Sequence, residues 1–197
     1  LDPGNSFNNI PLALRLKGEL DVEALEQALN KIVERHESLR TSFDSVEGKP
    51  VQKCADQLTV PLKAEKVAGA TLQAKEERLF QLASDEAKTA FDLSTAPLFR
   101  FRLLKLDETD HVVLFTLHHI IGDGWSINIF VREITELYQA AREKKTADLP
   151  LLPIQYVDFA EWQRKFLQGE NLEKQLEYWR TNLNGSSEML ELPTDHQ

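Results

Sequence analysis

Cysteine is almost missing from this 197-residue chain, in which Cys54 stands alone. One thiol cannot close an internal disulfide and leaves no second sulfur for a cysteine-based metal site. Long apolar runs are missing too: none approaches the roughly 20 residues that a membrane-spanning helix needs. Positive charge is in deficit, with 23 basic against 32 acidic residues and a net charge of −9. Nucleic-acid binding draws on clustered Lys and Arg to neutralise phosphates, so the balance argues against it. The lack of a polybasic segment argues equally against an anionic membrane surface. No repeat of fixed period and no low-complexity tract is present. The opening Leu1-Asp2-Pro3-Gly4-Asn5 has neither an initiator Met nor a basic region followed by an apolar stretch. No secretory signal is therefore expected, and the chain reads as a piece of something longer. These absences favour a reducing, cytoplasmic setting. What is present, 42% hydrophobic and 28% charged residues, suits one ordinary globular domain over residues 1–197.

Ile10, Leu12, Leu14 and Leu16 alternate and predict a strand ending at Gly18. Asp21 stands at an N-cap position before Val22, Leu25, Leu29, Ile32, Val33 and His36, whose spacing predicts a helix over about 22–37. Leu39–Val46 and Pro50–Cys54 flank Glu47-Gly48-Lys49 as a hairpin. A second amphipathic stretch carries Leu72, Leu79, Leu82, Ala83, Ala87 and Phe91. Strands follow over Leu98–Leu106 and His111–Leu117, the second so apolar that both its faces should be buried. A helix is expected from about Ser126 to Lys144, and two more beyond Pro153, broken near Gly169-Glu170. Hairpins interleaved with helices predict a layered α/β sandwich.

Chemistry concentrates in Leu117-His118-His119-Ile120-Ile121-Gly122-Asp123-Gly124-Trp125-Ser126. Two histidines sit at the mouth of a buried strand, followed by an aspartate between two glycines. A strand end holds an imidazole on rigid backbone, and a loop leaves room above it. Gly122 and Gly124 can shape a tight bend through positive φ or close approach. Asp123 could orient an imidazole or pair with a cation, and the Gly124 N–H could face a developing oxyanion. Adjacent strand histidines point to opposite faces, which suits one metal ion poorly. Ser126 lacks the G-x-S-x-G surroundings of a hydrolase nucleophile. As plain structure, His118 reads as a packed core histidine and Asp123 as a turn or salt-bridge residue. That reading fits His119 least well.

This stretch resembles the His-His-x-x-x-Asp-Gly signature of nonribosomal peptide synthetase condensation domains, acyltransferases of the superfamily that includes chloramphenicol acetyltransferase. Arg35-His36-Glu37-Ser38-Leu39-Arg40-Thr41-Ser42-Phe43 resembles a second motif of these domains, and Tyr156-Val157-Asp158-Phe159-Ala160-Glu161-Trp162 a third. Phe91-Asp92-Leu93 with Pro97-Leu98-Phe99-Arg100 is also similar to the family. The order of the motifs, spread over most of the chain, is the family's order.

The resemblance implies an α/β lobe like that of chloramphenicol acetyltransferase, with a mixed sheet flanked by helices. It also implies that residues 1–197 are the N-terminal lobe of a two-lobed domain whose C-terminal lobe is absent. The family's opening motif, with its Gln and Arg, and its later motifs are lacking. The implied reaction is amide-bond formation between a donor aminoacyl or peptidyl thioester and an acceptor aminoacyl thioester. Both are delivered on the phosphopantetheine arms of carrier proteins, with no metal and no directly bound cofactor. Implied partners are donor and acceptor carrier proteins, the C-terminal lobe and neighbouring synthetase domains. His119 matches the functionally critical histidine, as general base or as electrostatic stabiliser. Gly124 matches the glycine whose N–H lies near the reacting carbonyl, where a side chain should block substrate. His118 and Asp123 match structural positions, Asp123 as the partner of an arginine. Arg35 and Arg40 match the structural arginines of the second motif, one of them the expected partner of Asp123, and Trp162 matches a tryptophan expected to anchor the core. Trp125-Ser126 after Asp-Gly suits condensation of an L-donor with an L-acceptor, and the piece alone is expected to be inactive. Two alternatives are a carrier-docking module without catalysis and a free-standing acyltransferase using coenzyme A thioesters. The second and third motifs weigh against the latter.

Overall fold

The computed structural model describes residues 5–187. In chain order they form β1 (Asn9–Lys17), α1 (Val22–Arg35), a 3-10 turn (Glu37–Arg40), β2 (Thr41–Val46), β3 (Lys49–Cys54), β4 (Ala64–Lys66), α2 (Leu72–Lys88), β5 (Phe99–Asp107), β6 (Asp110–His118), α3 (Gly124–Arg142), α4 (Tyr156–Phe166) and α5 (Gly169–Leu183). The chain divides into two compact units, residues 1–155 and 156–197.

In the first unit β6 is buried at every position, as its nearly continuous apolar content predicts. It lies inside a four-stranded sheet of order β1-β6-β5-β4, flanked by β1 and β5, both antiparallel to it. β4 runs parallel to β5 at the edge, so the sheet is mixed. Alternation along β6 then sorts two layers. Val113, Phe115 and Leu117 share a core with Leu25, Leu29, Ile32 and Val33 of α1 and Phe130 of α3. Val112 and Leu114 share a smaller core with Val67, Leu104 and Leu106, against Leu79, Leu82 and Ala83 of α2. The result is the helix–sheet–helix sandwich that the sequence predicts.

α1 forms where its apolar spacing requires. The Asp21 side chain accepts from the Ala24 N–H at 3.0 Å, and the helix turns Leu29, Ile32 and Val33 wholly inward. Each such side chain contributes roughly 1.5–3 kcal/mol by leaving water. Phe115 and Phe130 stack at 4.2 Å and pin α3 to the sheet. Glu47 and Gly48 both have positive φ, the two-residue turn that matches the twist of the β2–β3 hairpin.

Several expectations shift. α1 stops at Arg35, and Leu39 lies in the 3-10 turn, so β2 begins only at Thr41. β4 has no counterpart among the expected strands, because three residues are too few to show alternation. α3 starts two residues earlier than Ser126, since Asp123 caps it.

The described residues of the second unit form α4 and α5, neither of which has a buried residue. Trp162 is 54% exposed there and is not the core anchor expected of it. Its ring stacks on Phe166 at 5.1 Å and meets Phe159 at 5.6 Å. These are neighbours along one helix at spacings of three and four, not members of a second layer. No helix of the described residues is long and apolar enough to cross a membrane.

Candidate active site

β6 delivers His118 and His119 to the end of the sheet, where four successive backbone donors are all bonded. The His118 N–H reaches Leu98 O at 2.9 Å, and that of His119 reaches Asn8 O at 2.8 Å. Next, the Ile120 N–H donates to His118 Nδ1 at 3.1 Å and the Ile121 N–H to His118 O at 3.1 Å. His119 therefore sits on fixed backbone while its side chain is exposed.

His118 is buried, 5% exposed, and its ring meets Phe91 edge-to-face at 6.1 Å. Burial, helped by neighbouring His119, holds its pKa below the ordinary histidine value. With Nδ1 accepting from Ile120, the neutral ring carries its proton on Nε2. The two histidines thus part, one inward and one outward, as strand alternation requires. Among the described residues no group of three or more His, Cys, Asp or Glu side chains is arranged to hold a metal ion.

Asp123 lies at the N-terminus of α3 in a reciprocal capping box. Its Oδ1 accepts from the Ser126 N–H at 2.9 Å and the Ser126 hydroxyl at 2.7 Å, and Ser126 Oγ accepts from the Asp123 N–H at 3.2 Å. These bonds, the backbone one foremost, hold its carboxyl below the usual aspartate range. The expected Asp123–arginine ion pair is absent among the described residues. Arg35 instead bonds Glu133 at 3.1 Å and donates to Pro150 O. His36 Nε2 adds a 2.6 Å contact to Glu133, and Arg40 donates to Ala55 O and Cys54 Sγ. The reason is one of place: Glu133 stands ten residues along α3 from Asp123, roughly 15 Å of helix rise. Arg40 is turned instead to the end of β3, and Arg35 joins α1 to the middle of α3. Glu133 was legible in principle, as a charge three residues after Phe130 and four before Leu137 on an apolar stripe.

Neither Gly122 nor Gly124 has positive φ, contrary to one of the reasons expected for them. Space at Gly122 is tight: a Cβ there would stand 3.2 Å from Leu117 Cδ1 and 3.3 Å from Ser126 Cβ, so those side chains would have to give by a few tenths of an ångström. A Cβ on Gly124 would meet nothing within 4 Å, so the position opens outward. Gly124 is the first residue of α3, where backbone N–H groups have no partner within the helix and the dipole favours negative charge. His119, Gly122, Asp123, Gly124 and Ser126 thus form one cluster, with His118 beneath it. Arg35 and Arg40 support the fold at a distance, and Trp162 belongs to the second unit. Asn8, Asn9 and Arg100 are not recognisable from sequence as neighbours of the site, because only the sheet register brings them to the histidines.

The helix–sheet–helix lobe with a histidine pair at the end of its central strand defines a chloramphenicol-acetyltransferase-like fold. The condensation-domain family model matches residues 1–197, and the chain belongs to that family. It is 44% identical to a linear gramicidin synthase of Brevibacillus parabrevis over 195 residues, 99% of this chain and 2% of that protein. Among solved structures, the X-domain from teicoplanin biosynthesis matches with a TM-score of 0.84 and 31% identity, over 98% of this chain and 42% of that one. The epimerization domain from the third module of tyrocidine synthetase B matches with a TM-score of 0.81 and 24% identity, over 98% of this chain and 43% of that one. At that identity the latter likeness shows the fold alone. The chain therefore spans a small part of the curated relative and under half of the solved domains.

Proposed function

We propose that this chain is the N-terminal lobe of a condensation domain that forms peptide bonds in nonribosomal peptide synthesis. The observation that carries this reading is His119, an exposed imidazole on a backbone fixed by bonds to Asn8, Leu98 and the His118 ring, beside the open N-terminus of α3. The acceptor amine nitrogen attacks the donor thioester carbonyl carbon. A tetrahedral intermediate forms, the C–S bond breaks, and the amine proton ends on the departing thiolate. His119 assists the amine or the intermediate, and the Gly124 N–H faces the developing oxyanion. Both thioesters arrive on phosphopantetheine arms of carrier proteins, and Trp125-Ser126 favours an L-donor with an L-acceptor. With only this lobe present the cluster faces open solvent, so the chain alone should not turn over.

The test restores a C-terminal lobe, supplies loaded donor and acceptor carrier proteins, and follows carrier-bound dipeptide by mass spectrometry. Product from the wild type and near-total loss in folded His119→Ala is the expected result. Product from both would leave condensation standing and remove His119 from the chemistry. No product from either, with carrier binding retained, would favour a docking module.

A further inference from the structure

Beneath the histidine pair lies a group of residues that the reaction scheme does not use. The last carbonyls of α2 are gripped from two strands. Asn9 Nδ2 of β1 donates to Ala87 O and Thr89 O, both at 2.8 Å. Arg100 of β5 donates from Nη2 to Glu86 O at 3.0 Å and Thr89 O at 2.8 Å, while its Nε pairs with the Glu86 carboxylate. A cation and an amide on the orphan carbonyls of a helix C-terminus are doubly favourable, as hydrogen bonds and against the dipole.

These bonds fix the chain just before Phe91, and the Arg100 guanidinium carbon stands 3.8 Å from the Phe91 ring centroid. The same ring meets His118 at 6.1 Å with an interplanar angle of 84°. The sheet register explains the convergence. Asn9 lies opposite His118 and Arg100 opposite Thr116, so all four residues share the sheet face turned to α2. His118 Nδ1 in turn holds the Ile120 N–H, immediately after His119.

We infer that Phe91, backed by Arg100, is a positioning residue for His119: it fixes the His118 ring in the orientation that accepts the Ile120 N–H, and so fixes the segment carrying His119. This inference rests on the condensation reading for its effect on rate, but not for its effect on the ring. A leucine at position 91 keeps apolar volume but loses the flat contact with both Arg100 and His118. The imidazole is then free to turn, and His119 loses one of the bonds that place it. Small misplacement of a reacting group is worth roughly ten- to hundredfold in rate, and should appear in kcat with the carrier KM little changed.

The experiment compares wild type, Phe91→Leu and Phe91→Tyr. Steady-state condensation is measured with the complete domain, and nitrogen NMR of the His118 ring on the labelled chain near pH 8. The wild-type ring should show an unprotonated Nδ1 and a protonated Nε2. Phe91→Leu should lower kcat at least tenfold and replace that signature with an average of two tautomers, and Phe91→Tyr should restore both. A folded Phe91→Leu with wild-type kcat and an unchanged ring signature overturns the inference. If the wild type makes no product, the condensation reading fails separately, and the ring signature alone decides: altered in Phe91→Leu it supports the positioning role, unchanged it overturns it.

Discussion

Asp123 and Gly124 are neighbours with opposite demands on a substituted side chain. Asp123 commits its carboxylate to the Ser126 N–H and hydroxyl, so its value to the fold is that of an N-cap. Asp123→Ala should cost about 1 kcal/mol in urea unfolding, whereas Asp123→Asn, which caps as well, should cost little. An equal loss in both would mean that negative charge matters more than the cap. Gly124 shows the reverse, since a methyl there meets no neighbour and has no unfavourable φ to adopt. Gly124→Ala should leave stability unchanged or raise it by up to about 1 kcal/mol. In the complete domain the same change should abolish dipeptide formation, because the methyl would enter the space in front of the α3 N-terminus. Stable and fully active Gly124→Ala would remove the glycine from the proposed site.

Two ion-pair groups fasten elements to one another. Glu133, 3% exposed, joins α3 to Arg35 and His36 at the end of α1. Removing one partner of such a pair strands a buried charge. Glu133→Ala should therefore cost on the order of 3–5 kcal/mol, and Glu133→Ala with Arg35→Met markedly less than the sum of the two single changes. Additive losses in denaturant titrations would contradict this coupling. At the start of β6, the end of the sheet away from the histidines, Asp110 binds Arg15 and Lys17 of β1 at 2.5 and 2.7 Å. The Arg15 hydrogen bond, foremost among the causes, holds the Asp110 carboxyl far below its ordinary value. A depressed carboxylate contributes stability above the unfolded pKa of ~3.9 and loses it as pH falls toward the folded pKa. Unfolding free energy should thus decline below about pH 4, and Asp110→Asn should be less stable near neutrality and flatter over that acid range. Parallel pH curves for the two proteins would exclude Asp110 as the source.

At the scale of the whole molecule, the two units differ in kind. Residues up to 155 close a core on both faces of a sheet, whereas α4 and α5 carry Tyr156, Phe159, Trp162, Phe166, Tyr178 and Trp179 on exposed positions. Large aromatic side chains exposed in this number favour association in water. The chain by itself should bind a hydrophobic dye and sediment with concentration-dependent association, and Trp162→Ser with Phe166→Ser should reduce both. A dye-silent monomer would count against an uncovered apolar surface.

The sequence alone determined the local elements and the segment that matters. The steps of three and four from Val22 to Val33, the nearly continuous apolar run that leads to His118, and the spacing of His119, Asp123 and Gly124 are local patterns. Local backbone geometry turns such patterns directly into helices, a buried strand and a loop. Only the tertiary structure decided who partners whom. Asp123 is satisfied within its own helix turn, Arg35 finds Glu133 98 residues away, and Phe91 comes to rest between Arg100 and His118. The last of these follows from strand register and Arg35–Glu133 from the packing of α1 beside α3, and residues so far apart in sequence become neighbours only when the sheet and its helices close.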